Sequence, residues 1–178
     1  MEETSKSPFW KPALIYGAIV GFIGILLSVI FYIADLYTKN WANWVQFLIA
    51  IIVLIYCLSA YRKEHLGGYA SYGQIFLMAL VIGVISSILS SLYSYILFSV
   101  IDPELVDKMR MIAEERIMNN PRIPESYYDA AMERLDKQFT VNRMVTMGLI
   151  FGPVLYAIVG LIAAAFLKKE EETGEVVL

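Results

Sequence analysis

The run from Ser71 to Ile101 constrains the fold more than any other part of the chain. It contains no Asp, Glu, Lys, Arg or His. As an α-helix with a rise of about 1.5 Å per residue, it would be roughly 45 Å long, whereas the hydrocarbon core of a bilayer is roughly 30 Å thick. The run therefore predicts a transmembrane helix that tilts within the bilayer or protrudes from it.

Three further apolar runs have the length of a membrane span. They cover residues 12–34, 42–61 and 144–167. Hydrophobic residues make up 58% of the chain, compared with roughly 45–50% in a soluble domain. These runs predict a single all-α domain in the lipid bilayer, an integral membrane bundle of four transmembrane helices with span 71–101 at its centre. We expect the N-terminal segment to be retained and the charged tail 168–178 to be disordered.

Small residues recur at helical spacing in these spans. Spacing of four places small side chains on one face, where neighbouring helix backbones approach closely and hydroxyls form hydrogen bonds. Pro153 follows Gly152 and removes a backbone donor, so we expect a kink in the last span. The predicted packing residues are Gly17 and Gly21 in the first span, Gly83, Ser87 and Ser91 beside Ser86, Ser90 and Ser94 in the third, and Gly148 and Gly152 in the fourth.

Residues 102–142 change character and predict an amphipathic helical hairpin inserted between the third and fourth spans. Asp102 followed by Pro103 is typical of a helix start. A proline turn at residues 121–124 separates two segments with apolar residues at spacing three or four. The hairpin either caps the bundle or offers its apolar residues to a partner. This hairpin row comprises Val106, Met109, Tyr128, Leu135 and Phe139.

The distribution of Lys and Arg predicts the orientation. Four spans place both termini on one side, and cytoplasmic loops carry an excess of basic residues. The short first loop contributes only Lys39 to the opposite side, although the hairpin adds further basic residues there. We expect both termini in the cytoplasm and hairpin 102–142 in the periplasm. The basic residues on the side of the termini are Lys6, Lys11, Arg62, Lys63, Lys168 and Lys169.

The composition argues against several kinds of chemistry. A net charge of −3 gives no basic surface for nucleic acid. One cysteine, Cys57, and one histidine, His65, do not suffice for a zinc site, and we predict no metal and no cofactor. The predicted spans contain no ionisable carboxylate, Lys, Arg or His, the groups on which ion-coupled carriers depend. Since no base lies in the bilayer to activate Ser91 or Ser94, we do not expect an enzyme.

The order of these parts resembles a known family. The features that carry the resemblance are the stretch GGYASYGQIF at the entry of the third span, its ending SVIDPELVDKM, the single insertion before the last span, and the glycines of that span. Together they are similar to a family of four-span bacterial membrane proteins, found mainly in Bacteroidetes and classed as a domain of unknown function. The resemblance implies an inner-membrane location and supplies no catalytic residues.

Three functional hypotheses follow from these patterns. The first is a non-enzymatic scaffold or accessory subunit of a membrane complex, with a membrane-protein partner that docks on the hairpin. The alternative is a small transporter or lipid flippase that acts without ion coupling, as a monomer or a homo-oligomer, based on the serine rows and Pro153. The third is an enzyme for a lipid-linked substrate, which requires Asp102, Glu104 and Tyr128 to meet in one pocket.

Overall fold

The computed structural model describes residues 9–169. Predictions for the N-terminal segment, including Lys6, and for tail residues 170–178 lie outside this range. The described chain forms six α-helices, with the third extended by a π-helical turn and the fifth preceded by a 3₁₀ turn. They are α1 (Trp10–Ile33), α2 (Asn40–His65), α3 (Tyr72–Ile96, continued by the turn Leu97–Ile101), α4 (Glu104–Met118), the 3₁₀ turn Glu125–Tyr127, α5 (Tyr128–Gln138) and α6 (Val141–Leu167).

The prediction of four membrane-spanning helices is confirmed for the described residues. α1, α2, α6 and α3 with its π-helical turn are each long and apolar enough to cross a bilayer. α2 and α6 extend a few residues beyond the predicted runs, so Arg62 falls in the last turns of α2 and Arg143 in the first turn of α6. We call the end at which α1 and α3 stop the hairpin end, and the opposite end the termini end.

α3 lies between α1 and α6 and is the central helix of the bundle. On its α1 side, the glycines of α1 make the close approach possible. A Cβ at Gly17 would lie 2.7 Å from the Cβ of Ile85, and one at Gly21 would lie 2.8 Å from a terminal methyl of Leu89. No side chain larger than hydrogen fits at Gly17 without moving the two helices apart.

The α6 side of α3 is packed in the same way. A Cβ at Gly83 would overlap Tyr156, and one at Gly152 would overlap the side chain of Ser87. One further close contact of this kind, between Gly160 and Ala79, completes the seam toward the termini end. α6 continues through Pro153 as one helix, and the predicted kink stays a prediction.

α2 packs less closely than the other spans, and its packing is concentrated at the termini end. There Leu54 and Leu58 are fully buried in a core that includes Tyr16 of α1 and Met78 of α3. In the first turns of α2 only Ala42 is buried. The bundle is therefore densely packed at the termini end and open beside α2 at the hairpin end.

Backbone hydrogen bonds join the loop between α2 and α3 to the end of α6. Gly67 and Gly68 have φ of 64° and 91°, in the region that favours glycine, and turn the chain after α2. Ala70 and Lys169 then exchange two backbone hydrogen bonds, with N–O distances of 2.8 and 3.0 Å. Arg62 also donates through Nη1 to the carbonyl of Leu167, at 2.9 Å.

α4 and α5 lie between the third and fourth spans and contact each other. The Asp102 carboxylate accepts a hydrogen bond from the backbone N–H of Leu105 at 3.1 Å and so caps α4, as the sequence predicts. Arg110 of α4 pairs with Asp136 of α5. The 3₁₀ turn and α5 together start at Glu125, where the sequence predicts the second helix.

The hairpin row packs within the chain. Val106 and Leu135 are buried, and Met109, Tyr128 and Phe139 are half-buried. Met109 and Phe139 pack against a cluster of buried residues at the hairpin end. The cluster comprises Leu97, Phe98, Leu105 and Val106. Val106, Met109 and Phe139 thus cover the hairpin end of the bundle. Docking of a partner on the hairpin row stays a prediction.

Candidate functional site

A chamber of about 250 Å³ lies among α1, α2 and α3 at the hairpin end, where α2 is loosely packed. Three spans, the loop between α1 and α2, and one residue of α4 contribute to its wall. We call this cavity the inner chamber. Its lining residues are Gly24, Ile25, Ser28, Tyr37, Asn43, Gln46, Ser90, Tyr93, Ser94 and Met109.

The helical positions of these residues place the inner chamber inside the spans. At about 1.5 Å per residue, Ser28 lies about 8 Å along α1 from the hairpin end, and Ser90 lies about 16 Å along α3. α1 and α3 are farther apart here, since a Cβ built on Gly24 would find only the Ser90 hydroxyl, at 4.0 Å. The chamber therefore brings polar groups to a depth at which the surrounding bilayer is hydrocarbon.

The described lining of the inner chamber is polar but carries no charged side chain. Gln46 donates one amide hydrogen to the carbonyl of Gly24 at 3.4 Å, and an amide has a second donor and an acceptor besides. Burial raises the pKa of the Tyr37 phenol, and a hydrogen bond with Ser28 offsets part of that effect. Tyr37 therefore stays a neutral hydrogen-bonding group at physiological pH. The chamber can bind hydroxyl, ester or amide groups.

A second cavity of about 130 Å³ lies on the outer side of the inner chamber, and we call it the outer cavity. It shares Tyr37, Asn43 and Met109 with the inner chamber. Its remaining walls come from the loop before α2, the start of α2, α4 and the end of α5, and they include the cation of Arg116. The lining residues are Tyr37, Thr38, Asn40, Asn43, Met109, Ile112, Ala113, Arg116 and Phe139.

A third cavity of about 170 Å³ lies between the serine rows of α3 and the first half of α6. Here some hydroxyls have partners within the protein. Ser86 donates to the carbonyl of Gly83 at 3.2 Å, and Ser91 donates to the carbonyl of Val145 at 3.5 Å. These bonds give both serines a structural role. Ser90 and Ser94 line this cavity as well as the inner chamber.

Some of the predicted packing residues lie at close helix contacts in the structure, and others do not. Gly17, Gly21, Gly83 and Gly152 lie at close helix contacts, whereas Gly148 has only the Ser91 hydroxyl nearby, at 3.6 Å from an ideal Cβ. The chamber residues that sequence reasoning did not single out are polar residues in or beside apolar runs. They are Ser28, Tyr37, Asn43, Gln46 and Tyr93.

The three residues of the enzyme hypothesis have separate surroundings. Asp102 accepts a hydrogen bond from the Tyr32 hydroxyl at 3.1 Å, in addition to capping α4. The Tyr128 hydroxyl donates to the carbonyl of Met118 at 3.2 Å, and Glu104 is exposed. None of the three lines the inner chamber, the outer cavity or the cavity beside α6. Among residues 9–169, no three His, Cys, Asp or Glu side chains form a group that could hold a metal ion.

The structure has four apolar helices, with α3 at their centre. This arrangement defines the class of the protein, that of multi-pass helical membrane proteins. Comparison with family models gives the family. The model described as "Protein of unknown function (DUF4199)" matches residues 15–169, and the chain belongs to this family. A search of curated proteins and a search of solved structures found no match.

Proposed function

We propose that this protein is a small transporter or lipid flippase that acts without ion coupling, with the inner chamber as its binding site. The observation that carries the proposal is an uncharged, hydrogen-bonding cavity inside the membrane spans. Polar groups at this depth are costly unless they are paired. A cargo with hydroxyl or ester groups would pair with them, and a neutral lining needs no coupled ion.

The loose packing of α2 supports this proposal. The termini end has a continuous apolar core, whereas the hairpin end has the chamber beside α2. A small apolar cleft lies between α2 and α6 near the middle of both helices. Movement of the first turns of α2 against α1 would change access to the chamber and leave Leu54 and Leu58 in the core. Shifts of loosely packed elements against a rigid body are common in gated proteins.

Flux through reconstituted vesicles tests the proposal. We expect the parent protein to accelerate the movement of a fluorescent lipid or of a labelled neutral polyol across the vesicle membrane. Ser90→Leu fills the chamber and should abolish this movement. Ser99→Leu, at an exposed position of the same helix, should leave it unchanged. No flux of either cargo, or equal flux in all three proteins, would overturn the proposal.

A scaffold or accessory subunit is the second candidate, and the outer surface of the hairpin supports it. Met111 and Met118 are 64% and 56% exposed and lie seven residues apart on α4, and Tyr127 beside α5 is 64% exposed. Spacing of seven puts the two methionines on one face. This apolar surface lies outside the spans. We expect a partner subunit to bind here rather than at the hairpin row, whose members are buried or half-buried.

Crosslinking in the native membrane tests the second candidate. A stoichiometric partner linked to residues near Met111 or Tyr127, and lost in the double variant Met111→Glu and Met118→Glu, would establish it. Val106→Ala serves as the control because this residue faces inward. Purification of the chain alone under gentle extraction would reject it. For either candidate we propose an inner-membrane location, with the termini in the cytoplasm and hairpin 102–142 in the periplasm.

A further inference from the structure

The inner chamber and the outer cavity together describe the kind of molecule that would occupy them. The two cavities share three wall residues, Tyr37, Asn43 and Met109. One continuous ligand could therefore extend from one into the other past these side chains. Its inner part would meet hydroxyl, phenol and amide groups, and its outer part would meet a guanidinium.

The charge distribution around the outer cavity favours an anionic group beside Arg116. Arg116 lies in the last turn of α4, and its guanidinium matches the geometry of phosphate oxygens. The carboxylate of Asp35, in the loop next to this cavity, is already paired with Lys108 at 3.0 Å. Glu114, two residues from Arg116, is paired with Arg110 at 3.3 Å. These pairs offset the charges of Asp35 and Glu114, whereas Glu115 beside Arg116 is exposed to solvent. Thr38 and Asn40 add neutral polar groups.

The order of the two cavities follows the order of groups in a membrane lipid. The cationic outer cavity adjoins the hairpin, whereas the neutral chamber extends deeper along the spans. A lipid in a bilayer carries its phosphate at the surface and its ester groups below it. A soluble phosphate ester would share the outer contact, but it would have no acyl chains to favour the apolar surroundings of the spans.

We propose that the two cavities bind a phosphate-bearing lipid, with the phosphate against Arg116 and the ester-bearing or hydroxyl-bearing part in the inner chamber. This assignment rests on the proposed function and names its cargo. The contact at Arg116 selects for phosphate, and the chamber recognises the neutral part below it. Hydrogen bonds that involve charged groups are about twice as strong as neutral ones, so the phosphate contact should dominate the selectivity.

Native mass spectrometry of the full chain in detergent tests the assignment. The probes are phosphatidylglycerol, diacylglycerol with the same acyl chains, and inorganic phosphate alone. We expect the parent to bind phosphatidylglycerol about tenfold more tightly than diacylglycerol. Arg116→Gln should remove this preference. Arg134→Gln, at an exposed arginine of α5, should preserve it.

The other outcomes separate this assignment from the proposed function. Equal binding of both lipids, weakened in Ser90→Leu but unaffected in Arg116→Gln, would overturn the phosphate assignment and leave the chamber as a binding site. Binding of inorganic phosphate that depends on Arg116, without binding of either lipid, would overturn the lipid assignment in favour of a soluble phosphate. Failure of every probe to bind would overturn the assignment. Only the separate absence of flux of both the fluorescent lipid and the polyol would then reject the proposed function as well.

Discussion

The hydroxyl of Tyr32, at the end of α1, donates to the carboxylate that caps α4, with 3.1 Å between Tyr32 Oη and Asp102 Oδ2. The other carboxylate oxygen of Asp102 accepts from the backbone of α4. One side chain thus starts a helix outside the spans and fixes that helix to the first span. The hairpin is positioned over the inner chamber by this contact as well as by its apolar packing.

Removal of the Asp102 carboxylate should loosen the hairpin. Asp102→Ala deletes the cap of α4 and the acceptor for Tyr32, and we expect the free energy of unfolding to fall by about 1–2 kcal/mol. Tyr32→Phe deletes one of the two bonds and should cost less. Hydrogen exchange of α4 amides measures the effect locally. Unchanged exchange in Asp102→Ala would show that apolar packing alone holds α4.

A methyl group at Gly17 should separate α1 from α3. Gly17→Ala places a Cβ 2.7 Å from the Cβ of Ile85, which is attached directly to the backbone and cannot move away alone. We expect a loss of about 1–3 kcal/mol in unfolding free energy, measured by thermal unfolding in detergent.

Gly73→Ala is the matched control for Gly17→Ala. Gly73 also lies in a membrane helix, but no atom lies within 4 Å of its ideal Cβ. Its substitution should be neutral or slightly stabilising, since alanine favours helix more than glycine does. Equal losses at the two positions would mean that close approach of α1 to α3 does not decide the effect.

In the turn after α2, the effect of a substitution on stability should depend on backbone conformation and not on steric clashes. Gly68 has φ of 91°, and no atom lies within 4 Å of its ideal Cβ. Gly68→Ala should therefore destabilise the protein by about 1–2 kcal/mol through backbone strain alone. Gly68→Asn should cost less, because asparagine tolerates positive φ better. A larger loss with asparagine than with alanine would contradict this explanation.

The ion pair between Asp35 and Lys108 should weaken in acid. A hydrogen bond from Lys108 is the main cause that lowers the pKa of Asp35 below its ordinary value of 3.8. A group with a lowered pKa in the folded state contributes stability above its ordinary pKa, and this contribution is lost as the pH falls through the folded pKa. The pair is thus complete at neutral pH, and it is lost only as the pH falls below the ordinary pKa of 3.8 and through the lower pKa of the folded state.

Carboxyl titration by NMR measures this effect directly. Lys108→Gln should return the pKa of Asp35 toward its ordinary value. Lys39→Gln should change it less, since Lys39 acts on Asp35 only through its charge and is the smaller influence. A larger shift in Lys39→Gln than in Lys108→Gln would show that the described ion pair does not form in solution.

The sequence predicts the fold well because the strongest signals in it are local. A long apolar run without charges predicts a membrane-spanning helix. Small residues at spacing four predict where two such helices pack closely. Gly17 and Gly83 illustrate this, since each is identified from its own helix and each lies at a close contact. The cap of α4 by Asp102 is equally local, because it depends on residues 102–105.

The inner chamber could not be predicted in the same way, because its wall is assembled from distant parts of the chain. Gln46 and Ser90 are separated by a loop and by most of two spans, and nothing local indicates that they share a cavity. The hairpin row shows a related difficulty. Its spacing predicts one apolar face on each helix, but only the packed structure shows that Val106 and Leu135 turn this face inward.

The two backbone hydrogen bonds between Ala70 and Lys169 limit how α6 can move. They fix one end of α6 to the loop that starts α3, while its other end meets the hairpin. From Val141 to Leu167 the helix is about 40 Å long. Around a fixed end, a rotation of about 5° moves the far end by about 3.5 Å, more than the radius of a methyl group. Close contacts between Gly83 and Tyr156 and between Gly152 and Ser87 oppose such a rotation, so α6 acts as a rigid link between this loop and the hairpin.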